Sequence, residues 1–112
     1  MAKLNWQWLS LSQTCQHLKS GQASVMQLTQ EMLERAQALE NQTHCYASLL
    51  ADEALAAAHA LDQKQAAGEP LGLLHGVPIG IKDLLYTQGV PTASGTLVMK
   101  DFRPPYSATV VN

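Results

Sequence analysis

The sequence predicts an α/β fold: a helical layer over residues 1–72, then one strand and its loops over residues 73–112. Two observations carry this. Between Ser10 and Ala67 the chain holds three stretches whose apolar residues recur at helical spacing, each bounded by capping or breaking residues. Beyond them Val77, Ile79 and Ile81 alternate with Pro78 and Gly80, the period-two pattern of a short strand with one packed face. A single lysine, Lys82, stands directly behind that run.

At the start of the chain, Leu4, Trp6 and Trp8 alternate. They form either an extended arm that lays two indoles on a neighbouring surface or, with Trp8 in the first helix, ordinary core contacts. The first helix starts at a Ser10 or Ser12 cap and runs to Ser20, because Leu11, Cys15 and Leu18 share a face and Gly21 is a natural stop. Ser24 caps the second helix, and Gln27 three residues later completes a capping-box pattern. Val25, Leu28, Met32, Ala36 and Leu39 mark its apolar stripe as far as Asn41.

Residues 44–50 carry enough β-type content for a short strand or extended crossing. From Asp52 an alanine-rich helix runs to about Ala67, with Leu55, Ala58, Leu61 and Asp62 toward one side, and Gly68-Glu69-Pro70 ends it. Ser107 reads as the cap of a helix that has barely completed a turn by Val111. One turn is not stable alone, because nucleation is costly and later residues must recover it.

Composition excludes several classes of function. The 112 residues are 46% hydrophobic and 14% charged, with net charge −2, a soluble globular profile of one domain's length. The seven basic residues are scattered and no basic patch is interleaved with aromatics, so no nucleic-acid partner is expected. No apolar run approaches membrane length and Met1–Trp6 lacks a signal-type core, so a cytoplasmic protein without membrane contact is expected. Cys15 and Cys45 have no CxxC or histidine-rich spacing, and His17, His44 and His59 have no ligand partners nearby in sequence. No metal site is expected. His75, just before the Gly76 turn, is assigned a structural role.

Two glycines in the alternating run, Gly76 and Gly80, allow another backbone to approach closely. Behind it, the long stem of Lys82 either snorkels its ammonium to water or is kept for chemistry. The words Leu74-His75-Gly76-Val77-Pro78-Ile79-Gly80-Ile81-Lys82-Asp83 resemble the first motif of the amidase signature family of serine hydrolases. Downstream, Gly89-Val90-Pro91-Thr92-Ala93-Ser94-Gly95-Thr96 resembles that family's next loop, and Tyr106-Ser107-Ala108-Thr109-Val110-Val111 the start of its next helix. Residues 18–24 and 54–62 are similar to its amino-terminal helical signposts, so the resemblance spans roughly residues 10 to 112. One departure is Leu73, where the family commonly has proline.

The resemblance implies a fold and a chemistry. The strand would be the first of a large mixed sheet with helices on both faces, and the reaction would be hydrolysis of a small-molecule carboxamide without metal or organic cofactor. Members of the family use a Ser-Ser-Lys triad in which a neutral lysine relays a proton through a cis-peptide serine to the nucleophile. Lys82 occupies the lysine position. Ser94 falls on the substrate-side loop. Free lysine titrates near ~10.4, so burial behind Ile79 and Ile81 is required to free its lone pair. A carboxylate beside the ammonium would oppose this, so Asp83 is expected to turn toward backbone amides of the following loop.

Both serines of the triad lie, in the family, beyond the lysine motif in a glycine- and serine-rich segment that has no counterpart up to Asn112. The sequence therefore reads as the amino-terminal fragment of a single amidase domain, inactive alone. An amidotransferase A-type subunit, with its partner subunits and glutamine-dependent tRNA amidation, is the alternative within the family, and a homo-oligomer is compatible with either. The alternative from another class is a noncatalytic helical interaction module that docks through Trp6, Trp8 and the alanine-rich helix.

Overall fold

A computed structural model describes residues 4–112. Its chain falls into two compact units, Met1–Pro78 and Ile79–Asn112. The first unit is helical: a 3₁₀ turn at Trp6–Trp8 precedes α1 (Leu11–Lys19), α2 (Val25–Thr43) and α3 (Ala51–Ala66).

Local chemistry sets the helix ends. Ser10 rather than Ser12 caps α1, its hydroxyl accepting from the Gln13 N–H while the Gln13 side chain accepts from the Ser10 N–H at 2.8 Å. Two of the orphan donors at the helix start are thereby satisfied. The far ends of α1 and α3 close alike. Gly21 and Gly68 take left-handed φ of 73° and 72°, and paired bonds run from Gly21 to Leu18 and Gln22 to His17, and from Gly68 to Gln65 and Glu69 to Lys64. Only a residue without Cβ enters that conformation readily, so both glycines act as stops.

The start of α2 departs from the sequence expectation. Ser24 does cap it, accepting from Gln27 N at 3.0 Å, but the Gln27 side chain reaches forward to Glu31 and does not close a box. A carboxylate from α3 takes over: Asp62 accepts from Val25 N at 2.8 Å and Met26 N at 3.0 Å. Negative charge at a helix N-terminus is favoured by the aligned peptide dipoles. The apolar stripe then thins along the helix, with Val25 and Leu28 buried, Met32 and Ala36 half-buried and Leu39 exposed.

Trp6, Leu18, Ala23, Val25, Leu28 and Ala58 form the core of this unit. Ala58, 2% exposed, lets α2 and α3 pack at close range. The two indoles part company, Trp6 buried with its ring edge toward His17 (centroids 6.4 Å apart, planes at 89°) and Trp8 78% exposed. Residues 44–50 form no strand: His44 turns left-handed at φ 47° to end α2, and residues 44–48 are exposed. β-type side chains stabilise a strand only through cross-strand neighbours, and among the described residues no strand pairs with these.

The second unit consists of turns and extended segments. Residues 86–92 and 102–108 run antiparallel, tied by Thr92 N to Phe102 O (2.9 Å), Gly89 N to Pro104 O (3.0 Å) and Ala108 N to Tyr86 O (2.8 Å). Tyr86 gathers Phe102 and Tyr106 around it at 5.5 and 5.8 Å. Ser107 starts no helix; its hydroxyl accepts from Gln88 N at 3.0 Å, and residues 109–111 make a single turn.

No β-strand occurs among the described residues, which corrects the strand expected at Val77–Ile81. The alternation records how that stretch would divide its faces. A ladder also needs a partner about 4.8 Å away, and among the described residues none lies there.

Candidate active site

The lysine stretch divides at Pro78. Its first half, His75 to Pro78, is bound into the helical unit. Gly76 adopts φ 75°, and a Cβ there would run into the γ-carbons of Val25. His75 is 5% exposed, with Nε2 3.1 Å from the Gln65 side-chain oxygen. Gln65 donates from the other end of its amide to Leu18 O at 2.9 Å. Those donations orient the amide, so its oxygen faces His75, and the imidazole must carry its proton on Nε2. The glutamine thus links α3, the end of α1 and the turn at His75.

Its second half is open. Ile79 and Ile81 are 67% and 45% exposed, and Lys82 is exposed as well. The burial that the sequence argument required for Lys82 is therefore not formed, because the isoleucines have no facing layer among the described residues. An added Cβ at Gly80 meets nothing within 4 Å, so the close approach occurs at Gly76 alone of the two.

Beyond Lys82 the chain turns, with Leu85 N donating to Lys82 O at 2.9 Å. Asp83 turns toward the following loop. Its carboxylate accepts from Ala93 N at 2.9 Å and Gly95 N at 3.5 Å, and its carbonyl accepts from Ser94 N at 2.9 Å. Three consecutive amides thus converge on one residue. Ser94 and Gly95 have φ of 51° and 68°, and Thr96 N closes on Ala93 O at 2.9 Å, a tight turn with both central residues left-handed. For serine that conformation costs about 1 kcal/mol, which the three hydrogen bonds offset. Asp83 and Ser94 are brought together here, whereas Gly76 belongs to the helical unit.

Two residues organise the helical unit in ways the sequence does not show: Asp62 was placed on a helix face and within a family signpost but not as a cap, and Gln65 carries no signal, because the partners of both lie far away in sequence. An open cavity of about 360 Å³ lined by Leu4, Trp6, Met32 and Arg35 among others lies in the helical unit and includes none of the candidate residues. Among the described residues no three His, Cys, Asp or Glu side chains gather to hold a metal ion, and no helix is long and apolar enough to cross a membrane.

Residues 27–112 match the Amidase family. The putative amidase AmiD of Mycobacterium tuberculosis is 45% identical over 103 residues, 92% of this chain and 22% of that protein. The A-type subunit of the glutamyl-tRNA(Gln) amidotransferase of Salinispora tropica is 44% identical over 91 residues, 81% of this chain and 18% of its own length. Among solved structures, a bacterial aryl acylamidase of the amidase signature family superposes on 91% of this chain and 21% of its own, with TM-score 0.82 and 28% identity. The chain spans about a fifth of the length of these relatives.

Proposed function

Since the chain belongs to the amidase family, we propose that it supplies the lysine-bearing portion of an enzyme that hydrolyses a carboxamide C–N bond. The observation that supports this most is the placement of Lys82. It follows an extended segment anchored at Gly76 and His75, and the neighbouring Asp83 carboxylate is engaged by Ala93 and Gly95 and makes no ion pair with it. A lysine without a counter-ion among the described residues is the right starting material for a base.

In this reading Val77–Lys82 becomes a strand of a mixed sheet once strands from the rest of an amidase domain lie beside it. Ile79 and Ile81 are then covered, and Lys82 loses the water that favours its charge. A serine hydroxyl attacks the amide carbon while its proton passes through a second serine to the Lys82 amine. The tetrahedral intermediate collapses, the C–N bond breaks, and the amine leaves with a proton returned from the lysine. Water then hydrolyses the acyl ester to a carboxylic acid. Ser94, on the turn held by Asp83, faces the substrate. The reaction uses no cofactor, and a small amide in the cytoplasm is its natural substrate.

Near-equal identity to the amidotransferase protein favours a second reading, transfer of glutamine-derived ammonia with partner subunits. The test is to replace the matched region of AmiD by this chain. The fusion and this chain alone are then assayed on acyl anilides and primary amides that AmiD itself cleaves. We expect turnover by the fusion, none by this chain alone, and loss of turnover in Lys82→Ala. A folded fusion that cleaves none of them overturns the reading. Ammonia release from glutamine with no other amide cleaved selects the amidotransferase.

A further inference from the structure

Asp83 does more than stay clear of its neighbour. Its two carboxylate oxygens and its carbonyl receive the N–H groups of Ala93, Ser94 and Gly95, so this one residue ties the Ser94 turn to the segment that ends in Lys82. The turn has little else to hold it. Ser94 is a non-glycine residue at φ 51°, Gly95 is exposed, and the other bonds there are Thr96 N and Thr96 Oγ1 to Ala93 O within the turn and Met99 N to Thr96 Oγ1 just beyond it. The Ser94 N–H bonds the backbone carbonyl of Asp83, but the amides on either side of it bond the carboxylate, and a left-handed serine reverts to ordinary geometry when those flanking amides lose their acceptor. Its hydroxyl then changes direction.

We propose that Asp83 is a positioning residue for substrate: it sets the direction of the Ser94 side chain by holding three successive amides, and so determines affinity rather than the rate of bond cleavage. This rests on the amidase reading above. Asp83 touches neither substrate nor the reacting atoms, and acts through the turn.

The experiment uses the AmiD fusion with Asp83→Ala and Asp83→Asn. Hydrogen exchange of residues 90–98 is followed alongside steady-state kinetics on an acyl anilide that the unsubstituted fusion cleaves. Asp83→Ala removes both side-chain bonds, so exchange at Ala93 and Gly95 accelerates about tenfold or more while α2 is unchanged. KM rises about tenfold and kcat stays within about twofold, the split expected when binding common to ground and transition states is lost. Asn retains an oxygen for Ala93 but presents an amide nitrogen to Gly95, so Asp83→Asn restores part of both losses. If Asp83→Ala does not fold, the Asn variant alone must show a raised KM.

Unchanged exchange overturns the proposal, as does accelerated exchange with KM unaltered or with the loss entirely in kcat. An active fusion whose Asp83 variants keep their KM defeats this inference and leaves the amidase reading intact. A folded but inactive parent fusion defeats both.

Discussion

The carboxylate of Asp62 on α3 accepts the backbone N–H groups of Val25 and Met26 at 2.8 and 3.0 Å, so one helix supplies the cap of another. Ser24 satisfies only the Gln27 amide. Asp62 therefore serves both the packing of α2 on α3 and the start of α2, and removing it exposes two donors at a half-buried helix end. Asp62→Ala is expected to destabilise the chain by about 1–2 kcal/mol, lowering the melting temperature by about 4–8 °C. Asp62→Asn should recover part of this by keeping one acceptor. Thermal unfolding followed by circular dichroism checks both, and a shift under about 1 °C in the alanine variant contradicts the cap.

Gly76 and Gly80 are separated by their effects on stability. A Cβ at position 76 collides with Val25 and forces a side chain into φ 75°, whereas at 80 it meets nothing within 4 Å. Gly76→Ala should cost about 3 kcal/mol or more, and Gly80→Ala under about 0.5 kcal/mol. Adding Val25→Ala to Gly76→Ala relieves the collision but not the backbone strain. Urea unfolding of the parent, the two single variants and the double variant should therefore show favourable coupling without full rescue.

Gln65 links Leu18 O, which also accepts from Gly21 N, with the buried His75. Gln65→Met keeps the volume and removes the amide, leaving the imidazole N–H of His75 without its partner while Leu18 O keeps the Gly21 N–H. A loss of about 1–3 kcal/mol is expected. In a double-mutant cycle with His75→Ala, the coupling energy should exceed about 0.5 kcal/mol. Strict additivity would show that the contact contributes nothing.

Lys82 should be dispensable for folding. It is exposed and bears no ion pair among the described residues, so Lys82→Ala changes stability by under about 0.5 kcal/mol. The same substitution is expected to abolish turnover in the AmiD fusion. Lost stability together with lost turnover would assign the lysine a structural role.

Much of the helical unit was legible without coordinates. The Ser10 and Ser24 caps and the Gly21 and Gly68 stops act over three to five residues, within reach of a local reading, and they place α1, α2 and α3 to within a few residues. The lysine word from Leu74 to Asp83 was enough to indicate the family. The turn of Asp83 toward the loop amides was expected from the chemistry that the family resemblance implies for Lys82, and its carboxylate does accept from Ala93 N.

Residues far apart in sequence decided the rest. Nothing local distinguishes Gly76 from Gly80; Val25, about fifty residues earlier, makes the difference. Asp62 became a cap and Gln65 a link only because α3 lies beside α2 and the end of α1. The alternation of Val77, Ile79 and Ile81 encodes two faces but no neighbour, so the stretch stays extended and unpaired, with Ile79, Ile81 and Lys82 exposed. Helical hydrogen bonds close within the segment that makes them, so a sequence can specify a helix by itself. A strand's hydrogen bonds, and the burial of a side chain behind it, are completed by other segments, and those belong to the tertiary structure.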